Sequence, residues 1–507
     1  MKKYCFMMTG NDVWLKVAIH LFEKNIAKPV LWLGDDVHFD KAKKIFGNHV
    51  LRLNDFVHYQ ETIQQIEYCG ENIGFFSSPN YLRAKDRCLK MMDRLDLYGS
   101  FSRQDREVVY NKLVMSLLKK IDATKPDALV MAEHAHSHTQ YLILEICMYL
   151  DIEIIKFNNW MLVPLLYVQN LKTGERLDAD FKLDNEMSMN IEASIENFIK
   201  NVLKNKDGDN LNTENEGFLY MKRQFESLSF SYVLSDFFKR TWLSLLKETW
   251  FQSKKIRSDS YYQINPYRHG FFIRSKIKRL RKISLKKELN READKLDFTK
   301  KYVYFGLHFE PERTTNPDAG EFQDQVLAII ALRDFLPDEV DIIVKEHPSQ
   351  FYIADKGSRG RSPLFYDLIK NISGVQLAHY EESSVKLIQK SEFVSSLAGT
   401  VALEASILGK KSILFGDSWF DGCPNVIDWK DRISFDDILR QEVSTPDNIL
   451  SFFLEQKKLK TVIACQNPSA QINHKKYLEY KQFSQEEFEG ISHLLKNFFT
   501  KLDSNKG

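Results

Sequence analysis

Residues 338–351 read DEVDIIVKEHPSQF. Ile342, Ile343 and Val344 form the short β-branched run of a buried strand, and the run stops at Lys345-Glu346-His347-Pro348. Pro348 lacks an N–H and confines His347 to extended backbone, which sets the direction of the imidazole. Lys345 and His347 share the parity of the strand and leave it on one side, whereas Glu346 points the other way as a structural residue. A cation and an imidazole on one side of a strand end suit a nucleotide phosphate, with the ring donating a hydrogen bond to a leaving group. The plainer alternative is a histidine that bonds only to backbone.

Outward from this strand the pattern repeats. KYVYFGLHFEPE, EFVSSLAG and KSILFG read as further strands, and EFQDQVLAIIALRDFLP, SSVKLIQKS and TVALEASILGK as the helices between them. Such alternation is the signature of an α/β fold with a parallel sheet, whose ligands bind outside the carboxyl ends of the strands. Three carboxyl-edge loops therefore converge: HFEPERTTNP, KEHPSQ and SSLAGT. In the third, Ser395, Ser396 and Gly399 allow close backbone approach, and Thr400 is placed to cap the following helix, whose free N–H groups favour phosphate. Glu404, one turn on, is placed to accept hydrogen bonds from ribose hydroxyls. Alternatively this is an ordinary capped helix with an exposed glutamate.

The first 170 residues alternate in the same way, through KYCFMM, KPVLWLGDD, KPDALVMAEHAHSH and IEIIKFNNW. Residues 175–295 are instead helical, charged and aromatic. Within them, residues 254–287 hold twelve Lys or Arg against one acid, Asp259, with aromatic residues interspersed. The segment is either a solvated face or a surface for anionic lipid or an anionic acceptor; nucleic acid is disfavoured because no recognition motif accompanies it.

At 507 residues the chain exceeds one core. Boundaries are expected at 1–175, a first α/β domain; 176–297, a helical basic connection; 298–475, a second α/β domain; and 476–507, a terminal helix. The 71 basic and 69 acidic residues nearly cancel, so any anion recognition must be local. Six scattered cysteines fit a reducing cytoplasm, and the five-residue apolar run after Lys3 is too short for a secretory signal. The expectation is a cytoplasmic protein, peripheral to a membrane at most.

The ordered set Lys-x-His-Pro, then Ser-Ser-x-x-Gly-Thr and a Glu-Ala helix ending in Gly-Lys-Lys, resembles the capsule-polysaccharide glycosyltransferases, which include Kdo transferases and bacterial polysialyltransferases. The resemblance covers mainly residues 300–430. It implies a GT-B fold, two Rossmann-like domains facing across a cleft, with 1–175 the acceptor domain, 298–475 the nucleotide-sugar domain, and 476–507 packing back toward the first; the helical basic region 176–297 would then be an insertion between them. It also implies a nucleotide-sugar donor, CMP-sugar before UDP-sugar, and a surface-polysaccharide or glycolipid acceptor, with no cofactor and no metal. His347, Ser395 and Ser396 would then hold the donor phosphate, and Glu310 and Glu312 would line the cleft. The acidic motif that supplies the base in polysialyltransferases has no counterpart here. The base is therefore sought at the strand ends of the first domain, among Asn11, Asp12, Glu133, His134, His136 and His138, with Asp12, Glu133 and His134 the candidates carried forward. The three histidines also invite a metal, but no carboxylate or cysteine set completes a site. Remaining alternatives are a CDP-polyol phosphotransferase, a nucleotide-sugar 2-epimerase, and a non-catalytic polysaccharide-assembly protein that keeps the fold.

Overall fold

The structure is a computed structural model that describes residues 1–7, 12–34, 38–52, 70–95, 102–163, 165–177, 185–204, 229–239, 271–352, 360–463 and 484–504. The chain forms two compact units. One holds the described residues of Met1–Ser188 and Gln456–Gly507, the other those of Met189–Lys247 and Gly270–Glu455.

The sheet of the first unit is built on β1 (Lys2–Met7), β2 (Ala27–Gly34), β3 (Val50–Arg52), β4 (Ala128–Met131) and β5 (Glu153–Asn159), parallel in the order β3-β2-β1-β4-β5. Beyond β5 the direction reverses: β6 (Leu165–Asn170) is antiparallel to it, and β6 in turn pairs with β7 (Arg176–Leu177) and β14 (Thr461–Ile463). Alternation along each strand feeds two cores. Tyr4, Phe6, Trp32, Val130 and Phe157 lie in one, where the helix Ser484–Ser504 adds Ile491, Leu495 and Phe499. Cys5, Met7, Leu31, Leu129 and Ile154 lie in the other, against the helices Pro79–Leu95, Arg103–Thr124 and His138–Tyr149. The last two begin at reciprocal caps, Ser102 with Asp105 and Ser137 with Gln140, which satisfy first-turn N–H groups.

The second sheet is entirely parallel. It comprises β8 (Tyr302–Gly306), β9 (Asp341–Lys345), β10 (Val375–Leu377), β11 (Val394–Ser396), β12 (Ser412–Leu414) and β13 (Val426–Asp428), in the order β10-β9-β8-β11-β12-β13. This is the doubly wound Rossmann order, and it reverses between β8 and β11. Val303, Phe305, Ile342 and Val344 share one core with Ile329 and Leu332 of the helix Gln325–Phe335. Each such side chain, fully buried, contributes about 2 kcal/mol. The fold class is thus mixed α/β with two Rossmann-like sheets, the first parallel from β3 to β5 and the second parallel throughout. Within the segment 254–287, only the part in the helix Phe271–Glu292 lies inside the described residues.

Among the described residues no helix is long and apolar enough to cross a membrane. Cys5, Cys88, Cys147 and Cys423 are buried free thiols.

Candidate functional site

Where the strand order reverses, connections leave β8 and β11 in opposite directions and a crevice opens between their carboxyl ends. In the second unit that crevice is part of an open cavity of about 730 Å³, lined among others by His308, Lys345, His347, Pro348, Ser396, Gly399, Thr400 and Glu404.

Lys345 ends β9 and is 4% exposed. Among the described residues its ammonium makes one long hydrogen bond, to the Glu346 carbonyl at 3.4 Å, and it sits 5.9 Å from the centre of the Tyr380 ring. Burial lowers its pKa to about 8, although Glu346 and Glu382 favour the charged form. It is a buried cation with donors to spare, facing a cavity. His347 beside it accepts the Ser349 N–H on Nδ1 at 3.1 Å, so the neutral ring carries its proton on Nε2. Burial, then His308, Lys345 and Arg361, lower its pKa to about 3, which keeps the ring neutral at physiological pH. Pro348 lines the cavity and its carbonyl accepts the Tyr380 hydroxyl. The Glu346 carboxylate is held apart by a buried network: Arg361 Nε at 2.6 Å, Tyr366 Oη at 2.8 Å and the His347 N–H at 2.7 Å.

Ser395 and Ser396 separate. Ser396 turns to the crevice, its hydroxyl donating to the Gly306 carbonyl at 3.0 Å and lying 3.1 Å from His308 Nε2. Ser395 is buried in the sheet with its hydroxyl 3.4 Å from the Ile413 carbonyl, and it is not among the residues lining the cavity. Strand alternation forbids two successive side chains from facing one site, so Ser395 is corrected from a phosphate contact to a sheet residue. Thr400 is not the helix cap either: Gly399 holds that position with extended backbone, and Thr400 is the first helical residue. Among the described residues no side chain caps the helix Thr400–Ile407, and its first turn borders the cavity.

Glu404 is 7% exposed, where an exposed residue was one alternative. Burial raises its pKa to about 7, partly offset by the Thr400 hydroxyl, 3.4 Å from Oε1. Glu310 and Glu312 are not among the residues lining this cavity. Glu310 Oε1 accepts Gln325 Nε2 at 3.2 Å and its backbone pairs with Gln350, while Glu312 is exposed and receives the Thr314 hydroxyl. The loop after β8 turns these carboxylates away and presents His308 instead.

His308 escaped the sequence reading, which singled out the acids of HFEPER. Its signal was position: a histidine two residues beyond the strand that the fold makes central. In the first unit, Glu133 and His134 follow β4, and Glu133 lies 3.7 Å from His136 Nε2. Asp12 begins the helix Asp12–Glu23, and Asn11 falls outside the described residues. Among the described residues no cluster of three or more His, Cys, Asp or Glu is placed to hold a metal ion.

No protein-family model matches the chain, and no curated protein matches it. Among solved structures it is similar to Thermosulfurimonas dismutans KpsC, the β-Kdo 2,4 transferase, at 12% identity over 64% of this chain and 79% of that chain, TM-score 0.29. The β-Kdo 2,7 transferase of the same KpsC matches at 15% identity over 41% of this chain and 62% of that one, less than two thirds of its length, TM-score 0.23. Neisseria meningitidis UDP-GlcNAc 2-epimerase matches at 14% identity over 99% and 100%, TM-score 0.20. At such scores these likenesses carry no argument about activity.

Proposed function

We propose that the chain is a glycosyltransferase of GT-B type that moves a sugar from a nucleotide-activated donor, CMP-sugar before UDP-sugar, to a surface-polysaccharide or glycolipid hydroxyl. One observation carries the reading: a buried, under-bonded ammonium, an imidazole N–H, an uncapped helix N-terminus and a buried carboxylate border one cavity at the switch point of a Rossmann-order sheet. Lys345, the His347 Nε2–H and the first-turn amides at Thr400 hold the phosphate next to the sugar, and Glu404 takes the ribose hydroxyls. As the acceptor oxygen bonds to the anomeric carbon, the bond from that carbon to the phosphate oxygen breaks and its electron pair passes to the phosphate. Fixed positive groups there stabilise the departing charge. The acceptor's proton passes to a general base as that bond forms. The basic segment 254–287 is assigned to the anionic inner face of a membrane carrying the acceptor. Support comes from exposed Ile277 and Leu280 beside exposed Arg281 and Lys287 on the described helix.

The test is turnover of CMP-sugars, UDP-sugars and CDP-glycerol side by side, with nucleotide binding measured for the wild type and for His347→Ala. Release of nucleotide from a sugar nucleotide, with binding lost in the variant, supports the reading. Turnover of CDP-glycerol alone, epimerisation without transfer, or no turnover of any of them overturns it.

A further inference from the structure

The cradle for the phosphate is a turn, residues 396–400, and a turn needs something to hold its shape. His308 is buried beneath it and is fixed from every side. Its N–H donates to Gln325 Oε1 at 2.8 Å, and its carbonyl accepts Gln325 Nε2 at 3.2 Å and Arg361 Nη2 at 2.7 Å. On the ring, Nε2 accepts the Ala398 N–H at 3.1 Å, so the proton of the neutral imidazole lies on Nδ1, which faces the Thr314 hydroxyl at 3.3 Å. Directly above, a Cβ at Gly399 would stand 3.1 Å from His308 Nε2 and 2.9 Å from Ser396 Oγ. A side chain here would crowd Ser396 Oγ most and the His308 ring next, so the glycine suits this close approach rather than its φ of −81°, which any residue adopts.

We propose that His308 is a positioning residue: through the Ala398 N–H and the contacts with Ser396 and Gly399, its neutral ring sets the turn that presents the helix N-terminus to the phosphate. The inference rests on the anion-cradle reading of the cavity. Charge on this ring would turn Nε2 into a donor facing the Ala398 N–H, close to Arg361. Burial first, and Arg361 second, hold the His308 pKa down to about 4, so the accepting form persists at neutral pH.

The experiment uses the full chain as wild type, His308→Ala, His308→Gln and Gly399→Ala. Gln keeps an acceptor near the Nε2 position; Gly399→Ala leaves His308 intact and disturbs the same contact. Amide exchange of the 396–403 peptide is expected to rise about tenfold in His308→Ala and Gly399→Ala, as for loss of one buried hydrogen bond, and to return most of the way in His308→Gln. Peptides from β9 and β12 are expected to stay unchanged. In parallel, affinity for CMP and UDP should fall about tenfold in the two disruptive variants and recover in His308→Gln. Unchanged exchange at 396–403, or a rise spread over the whole unit in every variant, overturns the inference. So does nucleotide affinity in His308→Ala equal to that of the wild type. A wild type that binds neither nucleotide overturns the functional reading instead, and exchange alone then decides the role of His308.

Discussion

Replacing Glu404 by Gln tests the electrostatics of the cavity in a form with a fixed sign. Glu404 is buried, and its carboxyl titrates at about 7 in the fold against an ordinary value of 4.5. Between those values the folded chain keeps a proton that the unfolded chain has lost. Stability therefore falls as pH rises from the unfolded pKa through the folded one, and it levels off above about 7. At about 1.4 kcal/mol per pKa unit, roughly 2.5 kcal/mol of stability disappears between about pH 5 and pH 8 on this account. Gln has the same shape and no charge at any pH, so Glu404→Gln should gain about 2.5 kcal/mol on the wild type across that interval. Denaturant unfolding of the two proteins at matched pH reads the difference, in which all other titrations cancel. A difference that stays flat from pH 5 to 8 refutes the buried-carboxylate argument. The gain has a functional counterpart: the amide is a poorer acceptor for a vicinal diol, so affinity for a ribonucleotide sugar at pH 8 should fall about tenfold. A 2′-deoxy analogue should hardly distinguish the two proteins.

Three further predictions follow from single contacts. Lys345 has a pKa lowered to about 8 from the ordinary 10.5, so the fold holds its proton less firmly than the unfolded chain and carries the full cost of the buried charge at pH 7. Lys345→Met should raise stability there by up to about 3 kcal/mol while weakening nucleotide binding at least tenfold; thermal melts and titration calorimetry on the same samples check both halves. Ser396→Ala should weaken nucleotide binding and Ser395→Ala should not, because only the first hydroxyl faces the crevice; equal losses in both would contradict the strand parity. Arg361 and Glu346 form an ion pair with side chains 1% and 0% exposed, so Arg361→Met strands a buried carboxylate and should cost about 3–5 kcal/mol in an unfolding assay. A near-neutral result would mean the carboxylate finds another partner.

The local pattern of residues 338–351 was enough to read a buried strand, its carboxyl end and the common side of Lys345 and His347, because side-chain parity along a strand is a property of backbone geometry alone. The same rule separates Ser395 from Ser396, which both the small-residue loop pattern and the resemblance placed together. The alternation of strands and helices likewise carried the α/β class, since strand and helix periods differ and persist through each element. What the sequence could not supply was neighbourhood. The order β10-β9-β8-β11-β12-β13 brings His308 of the first loop against Ser396 and Ala398 of the third, 88 and 90 residues away. It also leaves Glu310 and Glu312, two and four residues further along the same loop, outside the cavity. Burial was equally invisible: the sequence leaves Glu404 either a ribose contact or an exposed helix residue, and only packing raises its pKa to about 7. Sequence determines which groups a strand end can offer; strand order and desolvation, which depend on distant residues, decide which of them meet and in what protonation state.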